Sequence, residues 1–155
     1  MIPTPSSPSS DLPLLQSPIT VSVNLHALAR NFQQIRQWIA PPTKILAIIK
    51  ADAYGHGAVP VAHTLEPLGI FGFGVASVLE GMALRKYHIH CPSVVMGPLL
   101  PEHLREIIHH QLTPVISRFE ILQQLIDVLP PGKPQFPIHL KIDTGLHRLG
   151  FETDR

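Results

Sequence analysis

The chain has 155 residues, of which 45% are hydrophobic and 15% charged, a composition typical of a folded α/β protein rather than a disordered one. Twelve basic and eleven acidic side chains leave a formal net charge of +1, which gives no electrostatic footprint for nucleic acid or for an anionic membrane. No apolar run approaches a membrane span, and a single cysteine, Cys91, excludes an internal disulfide. We therefore expect a globular, cytoplasmic protein.

The N-terminal part of the chain divides into a tail, a strand and a helix. Residues 1–18 are rich in proline and serine and have no hydrophobic period, so we interpret them as a disordered tail outside the fold. The alternating residues 19–25 (ITVSVNL) predict a strand. The apolar residues that follow recur at helical spacing as far as Trp38, and Pro41 and Pro42 then end the predicted helix.

From residue 44 onwards, short apolar runs alternate with amphipathic segments. The predicted strands lie at residues 45–49, 71–76, 91–96, 112–116 and 136–142, and the predicted helices at residues 58–65, 78–87, 101–110 and 119–128. This alternation predicts an α/β fold with a parallel sheet and right-handed crossovers. The pattern alone fits either an open doubly wound sheet, which five strands can complete, or a (β/α)8 TIM-type barrel, which needs eight units.

A lysine stands at the end of the first predicted strand of this series. The run ILAII at residues 45–49 predicts a strand that is buried on both faces, and Lys50 follows it directly. Ligands of α/β folds bind at the carboxyl ends of the strands, so Lys50 is either a solvated cap or a placed amine. Gly55 and Gly57 come next, in a polar turn whose backbone they free to adopt positive φ.

Two segments resemble one enzyme family. KADAYGHG at residues 50–57 resembles the lysine motif of alanine racemases, which use pyridoxal 5'-phosphate (PLP), and HLKIDTGLHRLGF at residues 139–151 resembles their other well-known segment. The resemblance extends over roughly residues 19–155. It implies the N-terminal part of a PLP-binding (β/α)8 TIM barrel, truncated after about five strands, with the C-terminal barrel half and the β-domain absent.

The resemblance also implies roles for individual residues. Lys50 matches the amine that bonds to the PLP aldehyde, and Tyr54 matches a tyrosine that donates to the cofactor phosphate. Met96 matches an apolar residue of the cofactor wall, with simple core packing as the alternative. Arg148 matches the arginine that contacts the PLP phenolic oxygen and the substrate carboxylate. Lys141 matches a lysine that is carbamylated in many members and then orients that arginine as its anionic partner.

Without the resemblance, less specific interpretations of the same residues stay open. Lys141, Asp143 and Arg148 then fit an ordinary surface cluster. His88, His90 and Cys91 are possible metal ligands, but the sequence has no second paired set at zinc-site spacing, and we predict no metal site.

The implied function is the PLP-dependent interconversion of L-alanine and D-alanine, which supplies D-alanine for peptidoglycan. In the family, the lysine matched by Lys50 acts as base on the D-alanine face. The opposite base is a tyrosine from the C-terminal domain of the partner subunit in a homodimer. We therefore expect this chain alone to racemise poorly or not at all, and the missing domain weakens the case for its dimerisation.

Two further functions stay open at this point. One is a racemase that acts on serine or on a broader range of amino acids, and the other is a non-catalytic PLP-binding remnant. The segment ADAYGHG after Lys50 disfavours a decarboxylase of the same fold, because those relatives usually carry a different sequence there.

Overall fold

The computed structural model describes residues 19–132 and 135–152. The strands are β1 (Leu46–Ile48), β2 (Gly72–Val75), β3 (Ser93–Val95), β4 (Thr113–Ile116) and β5 (His139–Leu140). The helices are α1 (Leu25–Trp38), the short α2 (Lys50–Gly55), α3 (Ala58–Leu65), α4 (Val78–Lys86), α5 (Leu104–His109) and α6 (Phe119–Val128). Two 3-10 turns, Glu66–Leu68 and Pro101–His103, extend α3 and precede α5.

The five strands form one sheet in the order β1-β2-β3-β4-β5, and each pairs in parallel with its neighbour in sequence. A doubly wound sheet reverses its strand order at a switch point, and this sheet has no such reversal within the described residues. The sequential order is that of a (β/α) barrel. The structure thus selects the barrel from the two architectures that the alternation of elements allowed.

The predicted alternation of strands and helices is confirmed, and the helices at residues 58–65 and 119–128 have the predicted bounds. Helix α4 begins after Ser77, whose hydroxyl accepts from the backbone N–H of Glu80 in a capping box. The observed strands are shorter than predicted, because only the central residues of each apolar run join the ladder. The predicted tail at residues 1–18 lies outside the described part of the chain.

Two predictions about strands were wrong. No strand forms over the described residues 19–24, and Asn24 instead caps α1 by accepting from the N–H of Ala27 at 2.9 Å. Alternation predicts an extended chain, but an extended chain is a strand only where it joins the hydrogen-bonding ladder of a sheet. Strand β1 is not buried on both faces, since Ile48 is 38% exposed. It lies at the edge of the described sheet, whereas β2 and β3 are fully buried between neighbours.

The hydrophobic core lies between this sheet and the helices that pack against it. The largest fully buried side chains come from β2, β3 and β4 and from the helices and turns beside them, and include Phe73, Leu84, Ile89, Leu104, Ile107 and Ile116. Among the described residues, no helix is long and apolar enough to span a bilayer. The core therefore fixes the helices on one side and leaves the carboxyl ends of the strands to carry the polar loops.

Candidate functional site

Lys50 is held at the carboxyl end of β1 by the sheet itself. The backbone N–H of Ile49, the residue before it, donates to the carbonyl of Gly74 on β2 at 2.9 Å. Ile49 is only 2% exposed, so its packing anchors the backbone from which the lysine projects. Lys50 is half-buried, which suits an amine that must be both reachable and partly shielded from water.

The chain turns sharply after Lys50, in an unusual conformation. Four consecutive non-glycine residues, Ala51–Tyr54, adopt left-handed backbone angles, with φ from 51° to 55° and ψ from 37° to 50°. Left-handed geometry costs an L-residue about 1–2 kcal/mol, so this turn stores strain that its surroundings must offset. Hydrogen bonds from Ala53 N to Ile49 O (2.8 Å) and from Gly57 N to Asp52 O (2.9 Å) close it. Strain of this kind clusters at functional sites.

A cavity of about 320 Å³ opens beside Lys50. It lies at the carboxyl ends of the strands, and its lining residues are Lys50, Ala76, Met96, Gly97, Pro98, Lys141, Arg148 and Leu149. Three of these side chains are cationic, and the others are apolar or glycine. Such a wall suits an anionic ligand with an apolar ring, because the cations can pair with phosphate or carboxylate oxygens.

Met96 and Gly97 form the part of the wall that follows β3. Their backbone N–H groups donate to the carbonyls of Val75 (2.9 Å) and Ala76 (3.1 Å), which continues the pairing of β2 and β3 towards the cavity. A Cβ atom on Gly97 would clash with the carbonyl oxygen of Ala76. The glycine therefore allows two backbones to approach closely at the cavity wall.

Arg148 lies in a loop that its own backbone closes. Phe151 N donates to Lys141 O, and Asp143 N donates to Phe151 O, each at 2.8 Å. Gly150 has φ of +133°, and a Cβ atom there would lie 2.6 Å from Asp143 N, so glycine is required at this crossing. The loop thus brings Lys141 and Arg148 back to the same cavity.

The carboxylate of Asp143 stabilises the loop that carries Arg148 by accepting hydrogen bonds from the loop's own backbone. Its Oδ1 atom accepts from the backbone N–H groups of Gly145 and His147, each at 3.0 Å. These two hydrogen bonds, first that from Gly145 and then that from His147, hold the pKa of Asp143 below its usual value. The ionised form is therefore the one that shapes the chain before Arg148.

Tyr54 lies beside Lys50 but not on the wall of the cavity. Its ring centroid is 6.0 Å from the Lys50 Nζ atom, and the side chain is 61% exposed. It lines a neighbouring groove of about 380 Å³, between residues 21–31 and the turn at residues 54–56. The phenol is therefore near the amine and open to a ligand that extends beyond the cavity.

A larger cleft, of about 540 Å³, lies at the opposite, amino end of the strands. Its wall includes Arg85, whose guanidinium donates to four backbone carbonyls and to the hydroxyl of Ser93. These hydrogen bonds join helix α4 to the chain entering β3 and β4, which is a structural task. Ligand sites of barrels lie at the carboxyl ends of the strands, so size does not make this cleft the functional site.

The described structure thus defines a parallel α/β barrel segment with a lysine, an arginine and a second lysine around one strand-end cavity. The comparisons with known proteins agree. Residues 23–155 match the family model described as "Alanine racemase, N-terminal domain". The chain belongs to the alanine racemase family.

Individual relatives support this assignment. The alanine racemase of Nostoc sp. is 40% identical over 134 residues, which make up 84% of this chain and 34% of that protein. The serine/alanine racemase of Enterococcus gallinarum is 43% identical over 124 residues, or 80% of this chain and 17% of that protein. A solved alanine racemase structure from Clostridium difficile superposes with a TM-score of 0.79 at 32% identity, covering 86% of this chain and 37% of that one. The chain therefore spans about a third of the length of the Nostoc relative.

The structure brings together four of the five residues singled out from the sequence. Lys50, Met96, Lys141 and Arg148 line one cavity, and Tyr54 stands next to it. Sequence reasoning missed Glu80, whose carboxylate accepts a hydrogen bond from the turn after Lys50. The spacing of Ser77 and Glu80 is a capping-box signal, but nothing in it indicates a contact with a distant loop.

Proposed function

We propose that this chain carries the PLP-binding half of the site of an amino-acid racemase, with alanine as the substrate. The observation that carries the proposal is the cavity that Lys50, Met96, Lys141 and Arg148 share. Membership of the alanine racemase family supports the choice of reaction.

The residues present fit this cofactor. PLP carries an aldehyde, an aromatic ring with a phenolic oxygen, and a phosphate, and the site offers an amine, an apolar wall and cations. Lys50 would hold the aldehyde carbon, Met96 would pack on the ring, and the Tyr54 hydroxyl would donate to the phosphate. Arg148 would pair with the phenolic oxygen and with the substrate carboxylate, because a guanidinium stays charged and offers a fork of donors.

When bound, PLP withdraws electrons from the substrate and makes its Cα proton acidic. The Lys50 Nζ atom would act as the base that exchanges that proton on the D-alanine face. Lys141, if carbamylated, would present an anion to Arg148 and fix its orientation. In this proposal the second base, the homodimer and the remaining wall of the site belong to the part of the family's proteins that this chain does not span.

The proposal extends to the protein's setting. We place it in the cytoplasm and assign its product, D-alanine, to peptidoglycan synthesis, both on the strength of family membership. By itself, the 155-residue chain is expected to racemise L-alanine poorly or not at all.

A covalent-labelling experiment tests the proposal. The purified chain would be incubated with PLP at low concentration, reduced with borohydride, digested and mapped by mass spectrometry. We expect the label at Lys50, its loss in Lys50→Ala, and its retention in Lys86→Ala, which removes an exposed lysine on α4. Labelling spread over many lysines, or none, would mean that the lysine motif is a relic in this chain and would contradict the proposal.

A serine or broad-range racemase is the second candidate, and the 43% identity to the serine/alanine racemase of Enterococcus gallinarum favours it. Both proposed functions rest on the same cavity of this chain, so the cavity does not discriminate between them. Exchange of the Cα proton of D-alanine and of D-serine with deuterated water, followed by NMR, would separate them. Faster exchange of D-alanine supports the first proposal, and equal rates support the second.

A further inference from the structure

A single carboxylate joins the strained turn after Lys50 to the neighbouring strand and helix. The Oε1 atom of Glu80 accepts from the backbone N–H of Ala51 at 2.9 Å. Its Oε2 atom accepts from the N–H groups of Ala76 at 2.6 Å and Ser77 at 3.3 Å. Ala51 is the first left-handed residue and directly follows Lys50, whereas Ala76 follows β2 and lines the cavity.

We propose that Glu80 is a positioning residue for Lys50, which holds the left-handed turn so that the amine faces the cavity. This inference rests on the proposed function, because positioning has a purpose only if Lys50 bonds to a cofactor. Glu80 is not assigned any contact with cofactor or substrate. It acts through the backbone of Ala51.

The geometry separates this role from ordinary helix capping. In a capping box, the carboxylate at the third helical position accepts from the N–H of the cap residue, here Ser77. That hydrogen bond is the longest of the three, at 3.3 Å, while the two shorter bonds go to Ala51 and Ala76. The carboxylate is thus drawn away from the cap and towards the cavity.

The turn needs such a partner for a physical reason. Unlike glycine, Ala51 carries a Cβ atom that disfavours left-handed backbone angles, and unlike asparagine or aspartate it has no side-chain oxygen to stabilise them. An ionised carboxylate makes hydrogen bonds roughly twice as strong as those of a neutral acceptor, and this one is anchored at its other oxygen to β2. Any movement of the turn away from the cavity would break the bond to Ala51.

The side chain must be glutamate for this geometry. Both oxygens accept from N–H donors, so the NH2 group of Glu80→Gln would face the donors on one side. The bond to Ala51 would then be either lost or made to a neutral amide oxygen, which is a weaker acceptor than a carboxylate. Glu80→Asp keeps the charge but shortens the side chain by one methylene, so it would reach the cap more easily than the turn. The two substitutions therefore weaken the bond to Ala51 by different means.

The matched control is Ser77→Ala. It removes the hydroxyl that accepts from Glu80 N at 3.2 Å and so weakens the start of α4, but it leaves the carboxylate free to hold Ala51. If Glu80 only starts the helix, the two variants should behave alike. If Glu80 positions Lys50, only the glutamate variants should disturb the turn.

Hydrogen–deuterium exchange of the Ala51 amide, measured by NMR without PLP, tests the inference directly. We expect exchange at Ala51 to rise about tenfold or more in Glu80→Gln and to change less than about threefold in Ser77→Ala. The PLP concentration for half-labelling of Lys50 should rise about tenfold in Glu80→Gln alone. Should Glu80→Gln not fold, Glu80→Asp gives the same comparison.

Two results would overturn the inference: equal exchange at Ala51 in the glutamate and serine variants, or unchanged exchange in both. The test also separates this inference from the proposed function. If the unsubstituted chain is not labelled at Lys50, the proposed function fails, while exchange at Ala51 still decides whether Glu80 holds the turn.

Discussion

Lys50 and Arg148 line the same cavity, although one follows β1 and the other lies beyond β5, at opposite edges of the described sheet. Neighbouring strands lie about 4.8 Å apart, so β1 and β5 would be separated by about 19 Å in a flat sheet. Their side chains meet on one wall because the sheet curves as a barrel does. The curvature, rather than proximity in sequence, assembles the site.

Tyr54 should contribute to PLP binding through its hydroxyl. Tyr54→Phe keeps the ring that lies 6.0 Å from Lys50 Nζ but removes the proposed donor to the phosphate. A hydrogen bond to a charged group contributes about 1.5–3 kcal/mol, so we expect the affinity for PLP to fall roughly 10- to 150-fold. Titration with PLP, read by labelling of Lys50, measures this. The control is Tyr87→Phe at the chain's other tyrosine, and equal losses in both variants would contradict the assignment.

Lys141 should form a carbamate. Its side chain shares the cavity with the guanidinium of Arg148, and conversion to an anion would replace repulsion by a charge-assisted hydrogen bond. In 13C-bicarbonate, NMR should show a carbamate signal that Lys141→Ala abolishes. Lys44→Ala, at an exposed lysine before β1, should leave the signal unchanged. A signal that survives Lys141→Ala would assign the modification elsewhere.

Asp143 should make the loop before Arg148 sensitive to acid. Because the pKa of Asp143 is lowered in the folded state by hydrogen bonds from Gly145 and His147, its contribution to stability is present above its unfolded pKa of about 4. That contribution is lost as the pH falls through the lower, folded pKa. Urea unfolding at several pH values should therefore show Asp143→Asn less stable than the parent chain at neutral pH, with the difference shrinking below about pH 4. A difference in the free energy of unfolding that does not depend on pH would contradict this prediction. The control variant is Asp127→Asn, on α6.

Cys91 should react slowly with thiol reagents. Burial first, and then the hydrogen bond and charge of Glu66, raise the pKa of Cys91 to about 11. A free cysteine has a pKa of about 8.5, so at pH 8 the fraction of Cys91 that is thiolate is roughly 200-fold lower than that of a free cysteine. Stopped-flow reaction with an aromatic disulfide should show a rate lower by a similar factor than that of the unfolded chain. Glu66→Gln should raise the rate, because it removes the negative charge; an unchanged rate would show that burial alone protects the thiol.

Arg85 should be important for stability and not for ligand binding. Its guanidinium donates to the carbonyls of Ile89 (2.7 Å) and His110 (3.0 Å), among others. A lysine cannot reproduce this fork, so Arg85→Lys should lower the free energy of unfolding by about 2–4 kcal/mol. Arg105→Lys, at an exposed position on α5, should change it by less than about 0.5 kcal/mol. Urea unfolding gives both values, and a small effect at Arg85 would mean that water replaces its bonds.

The sequence by itself determined the order and kind of the five strands and of the helices α3, α4, α5 and α6. Apolar runs predicted the strands, and the amphipathic segments between them predicted the helices, with correct bounds at residues 58–65 and 119–128. This works because local hydrophobic periodicity decides which face of an element can be buried. The two motifs at residues 50–57 and 139–151 also indicated the family that the comparisons found.

Only the tertiary structure decided which parts of the pattern became sheet and how the site is held. Residues 19–24 alternate as a strand does but form no strand in the structure, and β1 is apolar throughout yet lies at an edge of the described sheet. Pairing and burial depend on neighbours that are distant in sequence. The left-handed turn after Lys50 and its bond to Glu80 likewise have no local signal, since a strained backbone persists only where distant groups compensate for it.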